Sequence, residues 1–180
     1  EYRREDINLA LRSEDPYSIV PSRDENGHGS ILAGVAAGSV VRQGNPYIGA
    51  APGADIVVVK LKECKQYLRS FYLVPEGVPA YQENDIMLGL RYLNDLARKQ
   101  GMPLVICVAL GTSFGGHGGY SILSEYLQNV AASEGIGIVT GSGNEADKRH
   151  HYLGILEQEN NQPVEINVGN NTRGFVMELW

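Results

Sequence analysis

The chain has 180 residues, 43% hydrophobic and 20% charged, enough for one buried core and hardly two. Subtracting 21 acidic from 15 basic residues leaves a formal charge of -6 without any Lys or Arg run, which argues against nucleic acid as a partner. The longest apolar stretch, Leu104 to Leu110, falls far short of the ~20 residues of a membrane span, and no basic-then-apolar signal opens the chain, so no membrane partner is expected.

Residues 1–27 are polar and rich in turn formers, with Asp15-Pro16 and Asp24-Glu25-Asn26-Gly27 marking loops. From His28 to Gly38 the pattern predicts a helix whose small residues, Ala33, Gly34, Ala36 and Ala37, suit close approach to neighbouring backbone and hence burial. Loops at Gly44-Asn45-Pro46 and Ala51-Pro52-Gly53 lead into Ala54–Leu61, whose β-branched run predicts a central strand buried on both faces. Residues 62–83 read as irregular. Asn84 is a candidate cap for a helix with Ile86, Leu90, Leu93 and Ala97 on one stripe, ending near Gly101. Leu104–Leu110 predicts a second buried strand, followed by the glycine-rich loop Gly111–Gly119 and a helix built on Ile122, Leu123, Tyr126, Leu127 and Val130. A third strand, Gly135–Thr140, runs into Gly141-Ser142-Gly143-Asn144. Beyond it lie a charged loop and two apparent hairpin strands, Val164–Val168 and Phe175–Trp180, around Gly169-Asn170-Asn171.

This alternation predicts an α/β fold: three layers, a mostly parallel sheet with helices on both faces, and a β-rich C-terminal segment. Residues 1–146 are expected to form one partial domain, and 147–180 a loop and the start of a β-rich insertion. The chain opens on Glu1-Tyr2-Arg3-Arg4 without Met and ends on Leu179-Trp180 within an apparent strand, so an excised piece of a longer protein is expected. Cys64 and Cys107 read as free thiols, since two cysteines make neither a disulfide framework nor a zinc site. No cofactor or metal is implied.

In open parallel sheets, ligands bind beyond the carboxyl ends of the strands, which places the loops after Leu110 and Thr140 on the functional edge. His28, at a helix start, is expected at the same edge, where a neutral imidazole can act as a general base; alone, it reads more simply as a structural loop histidine. Gly141-Ser142-Gly143-Asn144-Glu145-Ala146 fits the loose glycine fingerprint of dinucleotide sites, but the charged continuation Asp147-Lys148-Arg149-His150-His151 opens no helix to receive a pyrophosphate. His150 and His151 are adjacent, so their side chains diverge, and they read as solvated rather than metal-binding.

Four segments occur in an order that resembles the subtilisin-like serine proteases, the subtilases. Asn26-Gly27-His28-Gly29-Ser30 resembles the motif of the catalytic histidine, with Ser30 where Thr is usual. Gly49-Ala50-Ala51-Pro52-Gly53 and the strand after it look like the family's Gly-Val-Ala-Pro segment. Val108-Ala109-Leu110-Gly111 is similar to the Ser-Leu-Gly strand lining the substrate cleft, with Ala109 in place of serine. Ser142-Gly143-Asn144 matches the segment carrying the oxyanion-hole asparagine. The resemblance covers about residues 24–146.

It implies that His28 is the base and that Asn144 donates to the oxyanion, with Ala109, Leu110, Gly111, Ser142 and Gly143 binding a peptide or protein substrate. The chemistry requires those types: a serine hydroxyl must lose its proton to histidine, and a buried Asp must hold the other ring nitrogen. As the carbonyl becomes tetrahedral its oxygen gains charge, which a fixed donor stabilises; removing one costs about a hundred- to a thousandfold in rate, a magnitude obtained on subtilisin, the family's namesake.

Two triad members lack a match. Asp24 sits in a turn only four residues before His28, and Asp6 and Asp15 read as solvated or capping groups, so the orienting aspartate is expected before Glu1. Gly111-Thr112-Ser113 spells the tripeptide around a catalytic serine, yet Phe114-Gly115-Gly116-His117 follows where a helix is needed; Ser113 and His117 read as cleft-loop residues, and the nucleophile is expected beyond Trp180. The departure after Asn144 resembles the Csp germination-protease type of subtilase, which carries a β-rich insertion before its serine and includes pseudoproteases. This chain is therefore expected to be inactive alone, with exposed apolar surface that favours self-association. A pseudoprotease or peptide-binding module of the same fold is the alternative.

Overall fold

In a computed structural model, which describes residues 1–40 and 47–180, the polar opening is largely helical. The loop expected at Gly44-Asn45-Pro46 lies outside the described residues. Helix α1 spans Arg4–Arg12 and α2 spans Pro16–Ile19, correcting the expectation of turns alone. The physical cause is local: the Arg3 N–H donates to the Asp6 carboxylate at 2.8 Å, acidic Glu5 and Asp6 occupy the first turn of α1, and Arg12 the last. Asp15 caps α2 by accepting from the Tyr17 N–H at 3.2 Å, and Pro16 sits at the first helical position.

Helix α3, His28–Ala37, falls where the pattern places it. The chain then returns along its C-terminal end, with the Ala50 N–H donating to Val35 at 3.0 Å and the Ala51 N–H to Ala36 at 2.8 Å. Gly49 is required here, because a Cβ on it would lie 2.5 Å from the Gly38 nitrogen. The expected burial of α3 is not observed: none of its residues is buried, and Ile31 is 67% exposed. Its small side chains remove little area from water, and no strand lies in this part of the chain among the described residues. Likewise, Ala54–Leu61 forms no strand, since its backbone has no ladder partner among the described residues. The chain divides within that run into two units, Glu1–Val58 and Val59–Trp180.

The second unit holds a short helix, α4, Gln66–Phe71, inside the stretch read as irregular. Helix α5 spans Glu83–Gln100, with Gln82 rather than Asn84 at the position before its first turn and no side-chain cap there, and ends on Gly101 in the left-handed region. Strand β1, Leu104–Val108, helix α6, Ile122–Ala131, and strand β2, Ile136–Thr140, complete it. The strands pair in parallel from Leu104 opposite Ile136 to Val108 opposite Thr140. Parallel pairing requires a crossover, and α6 supplies it.

Leu90 of α5, Ile106 of β1 and Val130 of α6 form the buried core, flanked by Ile86, Leu93, Leu104, Val108, Leu123, Tyr126, Leu127, Ile136 and Ile138. Both helices thus cover one face of the sheet. Alternation along the strands puts Val105, Cys107 and Val139 on the other face, where all three are exposed. The continuous apolar runs predicted burial on both faces; among the described residues only one face is covered.

No strand occurs among residues 147–180, so the expected hairpin is not observed; Gly169 accepts from the Thr172 N–H at 3.3 Å, forming a turn between unpaired arms. Cys64 and Cys107 are free thiols. No helix among the described residues is long and apolar enough to cross a membrane.

Candidate active-site segments

Because β1 and β2 are adjacent and parallel, their carboxyl ends lie side by side. Ala109-Leu110-Gly111 leaves one and Gly141-Ser142-Gly143-Asn144 leaves the other. The structure therefore brings together the six residues that the sequence assigned to cleft walls and oxyanion donor in the second unit. Leu110 and Asn144 are exposed. No helix opens on the glycines after Thr140, so the fingerprint there lacks the helix N-terminus that a pyrophosphate needs. Two cavities of this unit, about 560 Å³ beside α4 and about 300 Å³ between Val59–Lys62 and α5, are lined by other residues.

His28 lies in the first unit, as the first residue of α3, after Gly27 in the left-handed region (φ 83°). The helix start is organised by Asp24. Its carboxylate accepts from the Gly27 and Ser30 N–H groups, each at 2.8 Å, from the Ser30 hydroxyl at 2.7 Å and from the Asn26 N–H at 3.2 Å. These donors, the Ser30 hydroxyl foremost, hold the Asp24 carboxyl down at about 2. Ser30 supplies both its N–H and its hydroxyl to this arrangement. Asp24 is thus a helix-capping group in a stretch that the sequence showed only as a turn.

The second unit also contains a cluster that the sequence did not reveal. The Ser113 hydroxyl donates to Glu145 Oε2 at 2.9 Å, and His150 Nδ1 lies 3.1 Å from the same oxygen and 3.5 Å from Ser113 Oγ. Beside it, the His117 and His151 rings stack at 3.9 Å with 11° between planes. His150 and His151 are exposed, as the sequence reading has them, and their divergence turns one to Glu145 and the other to His117. The Glu145 carboxyl is held below its usual range, by the Ser113 hydroxyl first and His150 second.

Ser, His and Glu in contact invite comparison with a triad, but the geometry is different. A triad needs one ring nitrogen on the serine and the other on the carboxylate. Here a single nitrogen, Nδ1, faces both, and the serine proton already points to the carboxylate. The loop is further tied by Phe114 against Tyr72, ring centroids 5.3 Å apart, and by the Gly115 N–H donating to Glu178 at 2.8 Å. Among the described residues no group of three or more His, Cys, Asp or Glu side chains is arranged to hold a metal ion.

Comparison with known proteins gives these segments a context. The structure is similar to that of the Clostridium perfringens CspB protease, with a TM-score of 0.69 and 34% sequence identity, covering 80% of this chain and 28% of that one. Residues 4–169 match the Peptidase_S8 model, described as the subtilase family. With the match running through the His28 segment, both strand-end loops and the core helices, the chain belongs to the subtilase family.

Proposed function

We propose that this chain carries the general base and the oxyanion donor of a subtilisin-like serine endopeptidase, the aspartate and serine of the triad coming from outside its 180 residues. His28 takes the proton of the serine hydroxyl as that oxygen attacks the scissile carbonyl, then gives it to the departing amine. Water, activated by the same imidazole, hydrolyses the acyl-enzyme. Asn144 donates to the oxygen that becomes negative, and the backbone of Ala109–Gly111 and Ser142–Gly143 aligns an extended peptide. The parallel β1–β2 pair carries this reading, because it sets the Leu110-Gly111 and Ser142–Asn144 segments at neighbouring strand ends.

In the whole domain, further strands and a second helix layer cover the face of Val105, Cys107 and Val139, giving the three-layer α/β architecture. Residues 1–146 belong to the catalytic domain, and 147–180 begin a β-rich insertion.

The test is covalent labelling by a fluorophosphonate, together with peptide hydrolysis, in the longer protein that contains this chain. Wild type is labelled; His28→Ala abolishes labelling, and Asn144→Ala lowers kcat about 100- to 1,000-fold with KM little changed. The 180-residue chain alone is not labelled. Labelling of Ser113 in it overturns the assignment of roles, and peptide binding without cleavage by the longer protein selects a pseudoprotease of the same fold.

A further inference from the structure

Asn144 sits on a pliant stem. Upstream, Gly141-Ser142-Gly143 separates it from the last ladder residue, Thr140, and Gly143 adopts φ 81°, a conformation that glycine takes without steric cost. Two glycines in three residues leave that stem free to present the Asn144 donor in more than one direction. Downstream, the next residue, Glu145, is tied across to the other loop. Its Oε2 accepts from Ser113 Oγ at 2.9 Å and faces His150 Nδ1 at 3.1 Å, while its carbonyl accepts from the Lys148 N–H at 2.9 Å, closing a turn. The His117–His151 stack crosses between the same two loops.

We infer that Glu145 is a positioning residue: by clasping Ser113 it fixes the segment of Asn144 against the loop of Leu110-Gly111, so that the oxyanion donor is oriented before substrate arrives. This rests on the reading of Asn144 given above. Catalysis gains from such a donor only when it is held in place beforehand, and a misplacement near 1 Å costs on the order of a hundredfold. Glu145 does this without touching the reacting atoms. Gln at the position keeps an oxygen that accepts from the Ser113 hydroxyl, whereas Ala removes it.

Two readouts test the inference. In the longer protein, Glu145→Ala lowers kcat about ten- to a hundredfold with KM within about twofold, Glu145→Gln restores most of the loss, and the Glu145→Ala/Ser113→Ala pair is no worse than Glu145→Ala alone. In the 180-residue chain, amide hydrogen exchange at Lys148, whose N–H donates to the Glu145 carbonyl, quickens about tenfold or more in Glu145→Ala and returns toward wild type in Glu145→Gln. If the labelled wild type and Glu145→Ala share one kcat, or the double variant loses the product of both single effects, the positioning role is overturned while the protease reading stands. If exchange is unchanged, the clasp is absent. If the longer wild-type protein resists fluorophosphonate, the protease reading fails and the catalytic role of Glu145 falls with it, whatever exchange reports.

Discussion

Asp24 shows how much one carboxylate settles at the residue scale. Four donors converge on it, and their loss on protonation is the reason its carboxyl titrates near 2 rather than at the ordinary 3.8. The sign follows: a depressed folded-state value contributes stability above the unfolded pKa, and that contribution is lost as pH falls through about 2. Carboxyl chemical shifts of Asp24 should therefore remain those of the anion at pH 3. Ser30→Ala, which removes the foremost donor, should move the titration upward; an unmoved midpoint would show the hydroxyl bond to be absent in solution. None of this was legible in the sequence beyond a turn, because Asp, Asn and Gly mark a turn whether or not the carboxylate reaches the helix beyond it. Glu145 and Ser113 were less legible still. They lie 32 residues apart, and only the parallel pairing of two strands brings their loops into register.

Elements of strong, repeated period were the readable ones. The stripe of Leu90 and Ala97 yields α5, that of Leu123, Tyr126, Leu127 and Val130 yields α6, and the two apolar runs between them yield β1 and β2. Their ends differ by a few residues because capping is a local matter: Gln82 rather than Asn84 precedes α5. Ala54–Leu61 has equal β propensity and forms no strand, since a strand exists by virtue of its partner, which a propensity does not record. Within the core, Leu90 is 3% exposed and packs on Ile106 and Val130. Leu90→Ala should thus cost about 2–5 kcal/mol in urea unfolding of the second unit. Ser121 caps α6 by accepting from the Ser124 N–H at 3.1 Å, and Ser121→Ala should cost about 1 kcal/mol in the same measurement. Equal losses from the two would contradict the core assignment.

At the scale of the whole molecule, the balance of covered and bare apolar surface decides behaviour. Val105 is 74% exposed and Val139 57%, and Leu153, Ile155 and Leu156 are each above 80%. Surface of this kind favours association. Sedimentation of the 180-residue chain should show mass rising with concentration; a single monomeric species into the millimolar range would exclude it. The sequence foretold the parallel pair and its crossover helix, but also a third strand and a second covering layer not observed among the described residues, because a continuous apolar run reads the same whether or not anything lies against it.

Cys107 stands on that bare face, one residue before the end of β1, with its thiol open to solvent. It is therefore a built-in gauge of assembly. A maleimide should modify it readily in the isolated chain and slowly once a further layer, or a second copy, lies over Val105 and Val139. The rate of alkylation at one sulfur then times the completion of the domain, independently of whether any peptide is ever cut.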